Sequence, residues 1–147
     1  MTVYLDNCGL SRLTDDQAQE RIREEAEAVE RVLAGVRRGN IDLISSEALE
    51  DEVRRNPSME RRAEAEVFLS LASLRVEVND AIVDRAGILS RLGCGPYDAL
   101  HPASAEAASA DVLLTTDDGL LKRAARGLGH PRIPVRNPVS WIKERGL

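Results

Sequence analysis

The sequence predicts a three-layer α/β/α sandwich around a central, mainly parallel sheet, formed as one domain over residues 1–147. Three observations carry that expectation. Short β-prone runs alternate with amphipathic helical periods along the chain, which is the signature of repeated βα units. The run Val112-Leu113-Leu114-Thr115 is almost wholly apolar, as a strand covered on both faces must be. Hydrophobic residues at 43% against charged residues at 31% suit a chain that buries one ordinary core.

Val3-Tyr4-Leu5 reads as the first strand and ends at Asp6, where Asn7-Cys8-Gly9 forms a turn-prone stretch. From Thr14-Asp15-Asp16 onward, Ile22, Ala26, Val29, Leu33 and Val36 recur at steps of three and four until Gly39. That spacing predicts a long amphipathic helix. Ile41–Ile44 is the second strand, and Ser45 or Ser46 can cap a helix from Glu47 to about Arg55, stopped by Asn56-Pro57. A further helix is expected over Glu60–Ser73, then an alternating strand, Leu74 to Val78, then a helix opened by Asn79.

Gly93 and Gly95-Pro96 interrupt the chain before an Ala-rich helical segment, Tyr97–Ser109, in which Pro102 removes one backbone donor. The apolar strand at Val112 ends near Asp117-Asp118, and a helix follows from about Gly119 to Arg126. Ile133-Pro134-Val135 suits a short edge strand, and Asn137-Pro138 opens a last helix holding Trp141 and Ile142.

Net charge of −5 argues against a surface built throughout to hold nucleic acid, but not against acids gathered around a cation. No apolar run approaches the roughly 20 residues of a membrane span. The first residues have neither a basic start nor a long apolar segment, so no secretory signal is expected and a cytoplasmic location follows by default. Cys8 and Cys94 match no metal-binding spacing and are expected to be reduced thiols.

In open α/β sheets the functional crevice lies beyond the carboxyl ends of the strands. Asp6 and Asp117 each stand at such an end, Asp98 opens the Ala-rich segment, and Glu52 lies in the acidic run Glu47, Glu50, Asp51, Glu52. Helix capping or a solvated face accounts for each acid singly. Gathered in one crevice they would repel, and a hard divalent cation with oxygen ligands, Mg2+ or Mn2+, would relieve that repulsion. Phosphodiester hydrolysis is the natural use of such an ion.

Four segments resemble those of the PIN-domain ribonucleases, including toxins of VapC type. Tyr4-Leu5-Asp6-Asn7-Cys8 is similar to a strand ending in the first catalytic Asp, with Asn7 placed to orient it. In Ser46 through Glu52 an acid follows a serine by six positions; counting from Ser45 instead selects Asp51, and Glu47 is a third candidate. Asp98-Ala99-Leu100-His101 is the most specific match, although Pro102 replaces an apolar residue, and Leu113-Leu114-Thr115-Thr116-Asp117 resembles the last motif.

The resemblance implies a metal-dependent endoribonuclease in which Asp6, Glu52, Asp98 and Asp117 hold Mg2+ or Mn2+. It also implies an RNA substrate, a small antitoxin protein as partner, and a homodimer. His101 is expected to play a packing or hydrogen-bonding role, and Arg12, Arg54, Arg55, Lys122 and Arg123 are the basic residues nearest in sequence for holding RNA. Two rival readings stand beside it: a catalytically inactive PIN domain acting as a binding or scaffold module, and a phosphoacceptor receiver domain. The receiver would want a lysine at the end of a late strand, where this chain has Asp117.

Overall fold

The computed structural model describes all 147 residues. Five strands, β1 (Thr2–Leu5), β2 (Asp42–Ser46), β3 (Leu74–Val76), β4 (Val112–Leu114) and β5 (Val135–Arg136), form one sheet in the order β3-β2-β1-β4-β5. Every pairing is parallel, so the sheet is wholly rather than mainly parallel. Val3, Tyr4 and Leu5 sit opposite Val112, Leu113 and Leu114, and Tyr4 also sits opposite Ile44. The chain moves from β1 toward one edge and returns for β4 on the other side. The strand order therefore reverses between β1 and β4, and a crevice opens beyond their carboxyl ends.

Eight helices complete the layers: α1 (Asn7–Ser11), α2 (Glu20–Arg37), α3 (Glu47–Arg54), α4 (Met59–Leu69), α5 (Asp80–Arg91), α6 (Leu100–Ala107), α7 (Asp118–Ala125) and α8 (Pro138–Arg145). Alternation along β1 divides the core. Val3 and Leu5 point to one side, where Val29, Val32 and Leu33 of α2 meet Trp141 and Ile142 of α8. Tyr4, Ile44 and Leu113 point to the other, against Leu49 of α3, Ala105 of α6 and the half-buried Leu120 and Leu121 of α7. This is the α/β/α sandwich that the pattern of βα units predicts.

Where the elements depart from expectation, local chemistry explains the difference. Asn7-Cys8-Gly9 forms a helical turn rather than a loop, because the Asp6 carboxylate accepts the Gly9 N–H at 3.0 Å and caps α1. Gly9 is required there: a Cβ would lie 2.5 Å from the Cδ1 of the buried Leu5. The long helix starts at Glu20 instead of Thr14, since Asp15 is held by Arg12 and Arg61, both at 2.8 Å, in the preceding loop. Pro102 is the third residue of α6, where its missing N–H would have had no intrahelical acceptor, so the proline leaves the helix intact.

Arg85 on α5 makes a forked bond to Glu106 on α6, at 2.8 and 3.0 Å, and donates to the Gly129 carbonyl at 2.7 Å. Glu106 is almost wholly buried, with 4% of its side chain exposed. Arg85→Ala should therefore lower folding stability by up to about 3 kcal/mol, because it leaves a buried charge with only Arg132, whose backbone N–H bonds Glu106 at 3.2 Å, as partner. Urea denaturation would measure that loss; an unchanged midpoint would show the pair to be dispensable.

Candidate active site

The crevice is built where β1 and β4 end. Asp6 follows β1 directly, is 4% exposed, and doubles as the cap of α1. Burial pushes its carboxyl up to about 6, even though the Thr115 hydroxyl, the Gly9 N–H and His101 favour the charged form. Asp117 follows β4 and caps α7, accepting from Gly119 N at 2.9 Å and Leu120 N at 3.3 Å. Thr115 joins the two: its hydroxyl oxygen accepts from Asp117 N at 3.1 Å while the hydroxyl bonds toward Asp6.

Asp98 arrives from the turn before α6, with its exposed carboxylate beside Gly95; a Cβ on that glycine would lie 3.1 Å from Oδ2. Glu52 comes from the second turn of α3, and Asn7 Nδ2 donates to its Oε1 at 3.3 Å. Asn7 thus orients Glu52 rather than Asp6. The other acids of that run turn elsewhere: Asp51 pairs with Arg55 at 3.0 Å and Glu50 with Arg75 at 2.8 Å, while Glu47 opens α3.

Cys8 feels the charge of all four acids. Desolvation, followed by the charges of Asp6, Asp117, Glu52 and Asp98, pushes its thiol up to about 12. All four carboxylates therefore lie near enough to the start of α1 for their charge to bear on that thiol. Asp98 and Asp117 act together on Cys94 as well, raising a thiol already raised by desolvation. The four do not form a closed protein cage, since no three of the chain's His, Cys, Asp or Glu side chains are drawn together around one point. An open, oxygen-lined crevice of this kind suits an ion that retains several waters and takes the remaining ligands from substrate phosphate.

Behind Glu52 runs a buried chain of hydrogen bonds that sequence reasoning did not find. Ser46 Oγ lies 2.7 Å from the Tyr4 hydroxyl, which lies 2.9 Å from His101 Nδ1, and His101 Nε2 lies 2.5 Å from Glu52 Oε2. Ser46 Oγ accepts the Leu49 N–H at 3.0 Å and keeps its own proton to give to Tyr4. Tyr4 then donates to Nδ1 and Nε2–H donates to the carboxylate, an assignment that leaves no donor unused. Burial holds the Tyr4 phenol far above its usual range, in keeping with a permanent donor. Partial burial would raise Glu52, but the hydrogen bonds from His101 and Asn7 hold it below the usual carboxylate range.

The basic residues divide. Arg12 is spent on Asp15 and Glu25, at 2.8 and 2.9 Å, and braces the fold instead of facing substrate. Arg21, not singled out in the sequence, forks onto Asp118 at 2.9 and 2.8 Å and donates to the Thr116 carbonyl at 3.2 Å, which fixes the loop carrying Asp117. Arg54, Arg55 and Lys122 are exposed, and Arg123 is half-buried.

A family model described as PIN domain matches residues 4–127, from Tyr4 through the end of α7. Among solved structures, the crystal structure of VapBC2 from Rickettsia felis bound to a DNA fragment from their promoter shares this fold. Its TM-score is 0.61 at 16% identity, over 93% of this chain and 98% of that one. No curated protein sequence matches. No helix is long and apolar enough to cross a membrane. The profile spans most of the chain, including all four candidate acids, and on that ground the chain belongs to the PIN-domain family.

Proposed function

We propose that the protein is a divalent-metal-dependent endoribonuclease whose site is Asp6, Glu52, Asp98 and Asp117. The observation that carries this reading is that Asp6 and Asp117 stand directly after β1 and β4, each capping the next helix, at the point where the strand order reverses. Membership in the PIN-domain family supports it.

The donors present are all carboxylate oxygens, with a buried Asp6 that resists ionisation when uncompensated, and such a set fits Mg2+ or Mn2+. Bound there, the ion would activate water and neutralise charge on the phosphodiester under attack. Asp6 and Asp117, rigid because each caps a helix, would hold it from the strand ends. Asp98 would close the opposite side, and Glu52, fixed by His101 and Asn7, would ligate directly or orient a water. No covalent protein nucleophile is required.

We extend the proposal, on the resemblance to VapC-type PIN domains and with fold likeness to VapBC2 in support of the partner, to a small antitoxin protein and a homodimer. The scaffold alternative loses its structural ground, since Pro102 lies in the first turn of α6 and leaves Asp98 and the helix intact. The receiver alternative is not supported by a lysine at the end of β4, where Thr115-Thr116-Asp117 stands.

The test is to incubate the purified protein with structured and single-stranded RNAs in Mg2+, Mn2+ or EDTA, beside Asp98→Asn. Cleavage should require the metal and fall at least about a hundredfold in the variant, the upper end of what an outer-sphere partner costs a metal site. Cleavage that persists in EDTA, or in Asp98→Asn, would overturn the reading.

A further inference from the structure

We infer that Tyr97 and Arg55 form a nucleobase-stacking subsite next to the acidic crevice, which holds one unpaired base of the substrate. The inference rests on the ribonuclease reading and adds to it how the substrate is held. A groove of about 570 Å3 runs along α3 from Glu52 and His101 to Tyr97, with Arg54 and Arg55 on its rim. It thus shares Glu52 with the candidate site, and its volume falls within the range of small-ligand pockets.

Tyr97 is 67% exposed, high for a large aromatic with no partner in the core. The Gly95-Pro96 turn delivers it one residue before Asp98, so a base resting on the ring lies beside the phosphate that the carboxylates face. The Arg55 guanidinium carbon stands 5.2 Å from the ring centroid, covering one face, and the exposure of the ring leaves the other open. Asp51 neutralises part of the Arg55 charge at 3.0 Å, while Arg54 is exposed.

The chemistry favours a nucleotide over a peptide. Ala48, Val78, Leu100 and the Tyr97 ring give the groove an apolar wall beside the charged Arg54 and Arg55 on its rim, a pairing of flat apolar contact with phosphate-binding charge that a nucleotide satisfies at once. A flat ring backed by a guanidinium, beside a crevice that takes phosphate, is the arrangement by which unpaired bases are held without a fixed sequence. A base inside a duplex is stacked on its neighbours and cannot reach the ring.

The experiment compares wild type, Tyr97→Ala and Tyr97→Phe in Mg2+, on short single-stranded RNAs of mixed sequence, on the same RNAs annealed into duplexes, and on single strands with one base removed at successive positions. Tyr97→Ala should raise KM for single strands about tenfold or more, with a smaller change in kcat, as expected for loss of one stacked base. Tyr97→Phe should behave as wild type, and Mn2+ affinity should be unchanged in both. At one position, base removal should raise KM for wild type and leave that of Tyr97→Ala unaltered. An unchanged KM in Tyr97→Ala would overturn the subsite and leave the ring to a protein partner; an equal penalty for base removal in both proteins would overturn it too. If wild type cleaves no RNA in any metal, the ribonuclease reading itself falls, an outcome separate from those two.

Discussion

Replacing Asp6 with asparagine is expected to make the metal-free protein more stable while abolishing its metal-dependent activity. Asp6 is almost fully buried and its carboxyl is pushed from 3.8 up to about 6, chiefly by desolvation. A shift of that size corresponds to about 3 kcal/mol. The sign follows from linkage: between the unfolded and folded values, the folded state holds more protons. The contribution is therefore fully present below about pH 4 and is lost as pH rises through about 6. At neutral pH the wild type carries the whole penalty. An asparagine at this position would have no charge to desolvate, and its side-chain oxygen can still cap α1 through the Gly9 N–H.

Thermal unfolding of Asp6→Asn in EDTA at neutral pH should accordingly exceed wild type by up to about 3 kcal/mol, with the difference shrinking toward pH 4. Adding Mg2+ should raise the wild-type midpoint and leave the variant unmoved, because only the wild type gains from a bound ion. A variant less stable than wild type at neutral pH, or one that responds to metal, would contradict this account of Asp6.

The second large effect concerns the chain behind Glu52. Tyr4→Phe deletes one hydroxyl but leaves the Ser46 proton and His101 Nδ1 without partners inside the core. Each buried orphan costs about 1–3 kcal/mol, so the variant should lose stability yet still fold. Its more specific consequence is at the crevice. His101 would no longer be fixed by its Nδ1 bond, and its hold on Glu52 would loosen. Outer-sphere partners of this kind typically contribute 10–100-fold to metal affinity, and the expected loss for Mn2+ is about tenfold or more. Ser104→Ala offers a control, since the Ser104 hydroxyl is buried without a partner and outside the chain. It should leave Mn2+ binding untouched. Equal affinities for wild type and Tyr4→Phe in calorimetric titration would reduce the chain to core packing.

How far this could be read from the sequence depends on whether an interaction is local. Asp6 and Asp117 were legible because a strand that stops at an acid points it into the crevice, and the apolar runs before them were unmistakable. Ser46 could be recognised as the cap of α3, and the six-residue step from it gives Glu52, which the structure turns toward Asn7 and His101 while Asp51 turns to Arg55. The Tyr4–His101 bond was not legible, since it joins positions 97 apart and Tyr4 reads as an ordinary strand residue. The short helix α1 was hidden for a related reason: Asn7-Cys8-Gly9 has turn propensity, and the Asp6 cap together with packing on Leu5 overrides it. Arg12 looked free because its partner Glu25 sits thirteen residues away on another helix, buried among α2 and α8.

Binding of Mn2+, followed by electron paramagnetic resonance, tests most directly whether Asp6, Glu52, Asp98 and Asp117 form one site. Wild type would be compared with Asp6→Asn, Glu52→Gln, Asp98→Asn and Asp117→Asn, each checked for folding by circular dichroism. The account predicts Mn2+ binding to wild type that is weakened by every one of the four substitutions, most by those that remove the strand-end acids. Folded variants at Asp6 and Asp117 that bind Mn2+ as wild type does would contradict it.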